Sequence, residues 1–227
     1  PPPPPISTQT TAYAMLDRLV GSEMCIRDSH FTPPHDWPAD GSIDLALHDL
    51  PHTSSSIEWW YVNSHIKTAE KDFSLFASFF RKLLTYDKKK KKPVYAHSIT
   101  WAITDVTDKE YYAVSLVDKL APKLGLKKLR AGELVKDERI RKAAIEMVKK
   151  GNVPYPDRLF KQDIFVGTSM LHLNFDGNEL KKLDDGSYQL HLYDDEQKVG
   201  ADLNFAPKKP VTRHGDNGIV RGVGGED

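Results

Sequence analysis

Apolar and polar residues alternate with a period of two along four consecutive segments in the first half of the chain. Successive side chains of a β-strand point to opposite faces, so this alternation predicts strands with one buried face. These four strands are expected at residues 57–67, 72–83, 94–106 and 111–118. Four more strands, separated by Asp-Gly turn signals, are expected at residues 164–166, 169–175, 187–193 and 199–205.

Residues 133–150 follow a helical period instead. They are rich in Lys, Arg, Glu and Ala, and Ile140, Ala144 and Met147 are spaced to line one face of a helix. A short strand is expected at residues 43–47. About eight antiparallel strands with short turns and one helical insertion predict a mainly β fold, an up-and-down barrel that holds one small ligand.

The two ends of the chain differ in composition from the region between them. Residues 1–29 open with five prolines and include SEMCIRDS at 22–29, which reads as a translated adapter sequence. We expect residues 1–29 to be an artefactual or disordered leader that adds nothing to the core and hides the true N-terminus. The predicted domain therefore covers residues 30–206, the localisation is not readable, and residues 207–227 form a glycine-rich tail.

Composition excludes several classes of function. The chain has 32 Lys and Arg against 32 Asp and Glu, so it has no overall charge that would attract nucleic acid. Its one cysteine, Cys25, lies in the predicted leader, which excludes disulfides and cysteine chemistry from the domain. No apolar run approaches the roughly 18 residues of a membrane span. No metal and no cofactor are expected, because the histidine spacings lack supporting carboxylates or cysteines and no phosphate-binding glycine loop occurs.

The register of the first hairpin follows from its loop. If residues 68–71 form a four-residue loop, Glu58 lies opposite Arg81 and Trp60 lies opposite Phe79. The third strand then places a matching set of residues on the same inner face, namely Tyr95, His97, Ile99, Trp101, Ile103 and Asp105. A charged group on an apolar face is costly unless it is paired or used, so this face is the predicted site.

Three motifs in order carry a family resemblance: EWWY at residues 58–61, FFR at residues 79–81, and H-x-x-x-W-x-x-x-D at residues 97–105. They resemble the N-terminal half of the hydroxyneurosporene synthase (CrtC)/AttH family, which includes carotenoid 1,2-hydratases and has kievitone hydratase among its relatives. The resemblance implies a lipocalin-like barrel that is the first of two. Residues 207–227 would then be a truncated linker toward the second barrel, which would be this domain's partner and could itself hold the catalytic groups.

The resemblance also implies a hydratase or isomerase that acts on a polyene, isoprenoid or polyketide-like substrate. Addition of water to an alkene needs an acid at the double bond, and Asp105 and His97 are the candidate catalytic residues. The candidate ligand-binding residues are Trp60, Phe79, Trp101, Glu58 and Arg81. A non-catalytic carrier of hydrophobic small molecules is the alternative function. The residues have structural alternatives too: a stabilising pair for Glu58 and Arg81, a core histidine for His97 and a turn role for Asp105.

Five consecutive lysines, residues 88–92, fall in the loop between the second and third predicted strands. Such a run is consistent with a solvated loop, and it is also consistent with transient contact with an anionic membrane surface that would help to collect a lipid-like ligand.

Overall fold

Two five-stranded sheets dominate the computed structural model, which describes residues 35–38, 43–132 and 134–213. The described residues divide into two compact units, one holding residues 59–161 and the other holding the residues up to Glu58 together with 162–213. The mainly β fold predicted from the alternation is confirmed, but the strands form two separate sheets and not one closed barrel. The predicted leader, residues 1–29, lies outside the described residues, as do residues 214–227.

The first sheet has the strand order β1-β2-β3-β4-β5. Its strands are β1 (Ile57–Lys67), β2 (Asp72–Asp87), β3 (Lys92–Asp105), β4 (Glu110–Val117) and β5 (Arg158–Leu159). β2, β3 and β4 pair antiparallel, as predicted. The two-residue β5 was not predicted, and it pairs parallel with β4, which departs from the expected all-antiparallel pattern.

Hydrogen bonds from the backbone and to side chains stabilise the turns of this sheet. The backbone N–H of Thr68 donates to the carbonyl of Lys71 at 2.9 Å, which closes the predicted four-residue loop between β1 and β2. Lys67 and Asp72 then face each other, with Nζ 3.6 Å from the carboxylate. At the next hairpin, the Asp87 carboxylate accepts the backbone N–H groups of Lys89 and Lys90. β2 and β3 therefore extend further than the alternation predicted.

The helices correct two predictions. The region between β4 and β5 contains two helices, α2 (Ala121–Ala131) and α3 (Glu138–Lys149), instead of one. α2 escaped prediction because Pro122 and Gly125 look like helix breakers, but a proline in the first turn is compatible with a helix and Gly125 is buried. α1 (Leu45–His48) stands where a strand was expected, because the Asp44 carboxylate accepts the N–H of Ala46 and begins a helical turn.

The second sheet is an antiparallel meander with the strand order β10-β9-β8-β7-β6. Its strands are β6 (Ile164–Val166), β7 (His172–Phe175), β8 (Asn178–Lys182), β9 (Tyr188–Asp194) and β10 (Val199–Phe205). β8 was not predicted, because three of its five residues are charged. Its Asn178 and Leu180 are nevertheless buried on one face, and the turn before it places Asp176 and Gly177 at positive φ.

Candidate functional site

One face of the first sheet is formed by the odd-numbered residues of β2 and β3. Arg81 pairs with His97, and Ala77 pairs with Trp101. Even-numbered residues of β1, including Glu58 and Trp60, are less exposed than their odd-numbered neighbours. This agreement confirms the predicted parity of the three strands, whereas the roles of the individual residues remain predictions.

The middle of this face is apolar and fully buried. Phe79, Ile99 and Trp101 are each 0% exposed, and Phe79 pairs directly with Ile99 across the two strands. The indole Nε1 of Trp101 is buried and has no hydrogen-bond partner. A buried N–H donor without an acceptor costs about 1–3 kcal/mol, so this position is one at which an additional acceptor would be favourable.

A polar group occupies the end of the face nearer the β2–β3 hairpin. Arg81 is 7% exposed as a residue, and its guanidinium lies over the Tyr95 ring, with Cζ 4.3 Å from the ring centroid. This geometry is a cation–π contact. The Tyr95 hydroxyl is buried and, like the Trp101 indole, has no hydrogen-bond partner. The Trp101 indole N–H and the Tyr95 hydroxyl, two buried donors without a hydrogen-bond partner, therefore lie on the same face of β3.

His97 lies in the same polar group and faces Asp118, a residue that was not predicted. His97 Nδ1 lies 3.7 Å from Asp118 Oδ2, and the Asp118 backbone N–H donates to the His97 carbonyl at 3.0 Å. Burial alone would raise the pKa of Asp118, but the His97 side chain and the N–H of Leu120 outweigh it and hold this pKa below its usual value. An ionised carboxylate beside an imidazole is an arrangement that enzymes use to hold or transfer protons.

The sequence would have indicated Asp118 as a neighbour of His97 if the pairing register between the third and fourth predicted strands had been derived. β3 and β4 pair Ser98 with Val117, so the next position along brings His97 beside Asp118. The predicted strand at residues 111–118 ended at this residue. No register between the third and fourth strands was derived from the sequence, and the pair was therefore missed.

Asp105 lies at the opposite end of β3 in a turn. Its Oδ2 accepts a hydrogen bond from Lys71 Nζ at 2.7 Å, and its Oδ1 accepts the backbone N–H of Asp108 at 2.9 Å. The hydrogen bond from Lys71, with that from Asp108, lowers the pKa of Asp105. These contacts favour the turn role that the sequence left open, because an acid catalyst needs a carboxyl group that keeps its proton.

The two candidate catalytic residues do not lie together. His97 and Asp105 are eight residues apart on one continuous strand, which corresponds to about 26 Å at roughly 3.3 Å per residue. Two groups at that separation do not contact the same double bond. Trp101 lies midway between them, so the face contains two separate polar ends joined by an apolar centre.

Glu58 groups with the second unit, where it binds His52. The His52 backbone N–H donates to both carboxylate oxygens, at 2.9 and 3.1 Å, and His52 Nδ1 lies 2.5 Å from Oε1. The predicted pairing of Glu58 with Arg81 stays a prediction.

The second unit holds a half-buried polar cluster that sequence analysis missed. Asp49 accepts hydrogen bonds from Lys182 Nζ at 3.0 Å and from the Tyr188 hydroxyl at 2.8 Å. Lys182 also donates to the carbonyl of Leu45 at 2.6 Å. These contacts attach α1 to β8 and β9. Their sequence separations exceed 130 residues, and no local pattern indicates contacts of that kind.

The described residues contain neither a cluster of metal ligands nor a helix that could span a membrane. Within 35–38, 43–132 and 134–213, no group of three or more His, Cys, Asp or Glu side chains is arranged to hold a metal ion. His48, from one of the loose histidine spacings, accepts the N–H of Asp44 at its Nδ1. In that same part of the chain, no helix is both long and apolar enough to cross a membrane.

Comparisons with known proteins give one structural similarity. No protein-family model matches the chain, and no curated protein does. A crystal structure of a Nitrosomonas europaea protein described as an AttH superposes with a TM-score of 0.48 at 15% sequence identity. The superposition covers 80% of this chain and 42% of that protein, so the chain spans less than half of its length. The fold class of this chain, mainly β with antiparallel sheets, is accordingly defined by its own strand pairing.

Proposed function

We propose that this chain binds a hydrophobic small molecule of the polyene, isoprenoid or polyketide-like class along the buried face of the first sheet. The observation that carries the proposal is Trp101, which is fully buried beside apolar neighbours while its indole N–H has no acceptor. Ligand sites of this kind combine an apolar lining with a few placed polar groups. The motifs that resemble the hydroxyneurosporene synthase/AttH family support the same class of ligand.

The chemistry that we propose for the bound ligand is hydration or isomerisation of a carbon–carbon double bond. His97, held by Asp118, would donate a proton to one alkene carbon, which leaves a carbocation at its neighbour. Capture by water, followed by loss of a proton to the same imidazole, gives the alcohol, whereas direct loss of a neighbouring proton gives the isomer. The aromatic faces of Tyr95 and Trp101 are the kind of group that stabilises such a cation.

The alternative function is a non-catalytic carrier, and one observation favours it. The carboxyl groups of Asp105 and Asp118 both have lowered pKa values and are therefore ionised at neutral pH. Neither carboxyl group therefore keeps a proton that it could donate to an alkene. A carrier needs only the apolar face and the two unsatisfied donors.

Ligand binding is tested with farnesol and farnesene, two isoprenoids that differ in a hydroxyl group. We expect calorimetric titration to show tighter binding of farnesol, because its oxygen accepts a hydrogen bond from a buried donor. Trp101→Phe keeps the aromatic ring and removes the N–H, so it should reduce the preference for farnesol by about fivefold, which corresponds to one lost hydrogen bond. Trp59→Phe, on the exposed face of β1, is the matched control. Equal binding of both isoprenoids by the unaltered chain would refute the proposal.

Enzyme and carrier are separated by incubation of the ligand in oxygen-labelled water. A hydratase places the labelled oxygen in the product, an isomerase shifts the double bond, and mass spectrometry with chromatography detects both. His97→Gln should sharply reduce product formation and leave farnesol affinity within about twofold. Tight binding with neither product would establish the carrier.

A further inference from the structure

The β2–β3 hairpin projects beyond its neighbours in the first sheet. β2 has 16 residues, whereas β1, which meets it at the closed loop of residues 68–71, has 11. On the other side, β4 pairs with β3 only from Ser98 to Asp105. The end of the hairpin is therefore a two-stranded ribbon that extends past the strands on both sides. We call residues 86–93 the lysine tip.

The lysine tip concentrates positive charge in a protein whose formal net charge is zero. Its five consecutive lysines, residues 88–92, are all exposed. Asp87 is the acidic residue next to them, and its carboxylate is occupied by the backbone N–H groups of Lys89 and Lys90. That capping orders the turn, so the ammonium groups are carried on a defined ribbon end.

Exposed aromatic side chains accompany this charge. Tyr86, at the base of the lysine tip, is 56% exposed. Trp59 and Tyr61 are 41% and 54% exposed on the outer face of β1, which lies beside β2 but does not extend to the lysine tip. Tyrosine and tryptophan beside lysine are the residues enriched where proteins meet the headgroup region of a bilayer.

We propose that the lysine tip docks on an anionic lipid surface, with the five lysines against the headgroups and Tyr86 at the interfacial depth. A planar anionic surface contacts every lysine at the end of a ribbon at once. Single-stranded nucleic acid is instead bound by basic and aromatic residues distributed along a groove, which is not the arrangement here. Docking of this kind rests on the surface alone and does not depend on the proposed ligand chemistry.

The test is sedimentation of the full chain with vesicles, in the absence of any isoprenoid. Vesicles of equal parts phosphatidylcholine and phosphatidylserine should bind the chain, vesicles of phosphatidylcholine alone should not, and added salt should release it. The variant Lys88→Glu/Lys89→Glu/Lys90→Glu should bind at least about tenfold more weakly. Its control, Lys123→Glu/Lys208→Glu/Lys209→Glu, changes the net charge equally at other exposed lysines and should bind within about twofold of the unaltered chain.

A second set of variants distinguishes the loss of lysine charge from a loss of the fold. Replacement of the same three lysines by glutamine should give an intermediate loss, with a far-ultraviolet circular dichroism spectrum that matches the unaltered chain. Tyr86→Ala should weaken vesicle binding by a factor that persists at high salt, because its contribution is not electrostatic. Equal binding to neutral and anionic vesicles, equal losses in the two triple-glutamate variants, or tighter binding to a single-stranded oligonucleotide than to the anionic vesicles would each overturn the proposal.

Discussion

Lys71 Nζ donates to Asp105 Oδ2 at 2.7 Å, and this ion pair holds the end of β3 that is furthest from His97. The same ammonium contacts Asp108 in the following turn. The carboxylate of Asp105, one of the two candidate catalytic residues, is therefore occupied by a lysine and by a backbone N–H. The site that remains is the apolar centre at Trp101 together with the polar end at Arg81, Tyr95 and His97.

Asp105→Asn is expected to destabilise the chain at neutral pH and not at acid pH. The hydrogen bond from Lys71 lowers the pKa of Asp105 below the 3.8 of an unperturbed aspartate. The stability that this carboxylate contributes is thus present above about pH 4 and is lost as the pH falls through its lowered pKa. Urea midpoints should favour the unaltered chain near neutrality and approach those of the variant as the pH falls below about 4. Asp184→Asn, an exposed turn residue, should show no such convergence, and a constant gap for Asp105→Asn would contradict the ion-pair account.

Asp118→Asn is expected to reduce turnover by about tenfold or more if the chain is a hydratase or isomerase, because the amide no longer provides a negative charge beside His97. Asp118 acts through the imidazole as a positioning residue, so farnesol affinity should change less than twofold. The double variant with His97→Gln should lose no more activity than His97→Gln alone. Additive losses would show that the two residues act separately. Asp118→Glu, which restores the charge, should recover part of the turnover.

Two tyrosine-to-phenylalanine variants should have opposite effects on stability. The Tyr95 hydroxyl is buried without a partner, so its removal should leave the free energy of unfolding unchanged or raise it by up to about 1 kcal/mol. The Tyr188 hydroxyl donates to Asp49 at 2.8 Å, and its removal should lower that free energy by about 1–2 kcal/mol. Urea denaturation with both variants tests this directly. A loss for Tyr95→Phe as large as that for Tyr188→Phe would mean that the Tyr95 hydroxyl is satisfied in solution.

The second unit is expected to lose stability in alkaline solution through Tyr188. Burial, together with the hydrogen bond to the Asp49 carboxylate, raises the pKa of Tyr188 above its ordinary value of 10.0. A raised pKa in the folded state stabilises the fold below about pH 10 and ceases to do so as the pH rises towards the shifted value. Melting temperatures should therefore fall more steeply above about pH 10 in the unaltered chain than in Tyr188→Phe. Parallel slopes would assign the alkaline loss to other groups.

Local sequence pattern predicted the strands well where alternation was strong. β1, β6 and β10 have the predicted limits, and β2, β3, β4, β7 and β9 differ from the prediction by a few residues at their ends. The strand expected at residues 43–47 was wrong, because that segment forms α1. Elements without alternation were missed, namely β5, β8 and α2. β8 is mostly charged, and it is a strand because its neighbours β7 and β9 supply hydrogen bonds on both sides.

The site was predictable only as far as the parity of its strands. Alternation and the loop at residues 68–71 place Arg81, His97 and Trp101 on one face, and β2–β3 pairing agrees. Prediction of the contact between His97 and Asp118 would have required the pairing register of β3 with β4. Prediction of the contact between Asp105 and Lys71 would have required the position of a loop side chain relative to a neighbouring turn. Neither relation is encoded in a local period.

The sequence by itself determined the strands with strong alternation and which side of each is apolar, because both follow from side-chain alternation within a few residues. Tertiary structure alone decided that the strands form two sheets, that Asp49 joins Lys182 and Tyr188, and that Asp105 is neutralised by Lys71. Those outcomes depend on contacts between residues far apart in the chain, whose free energies outweigh local preference. The separation of about 26 Å between His97 and Asp105 follows instead from the predicted strand that contains both, because an extended strand separates residues that a helix or turn would bring together.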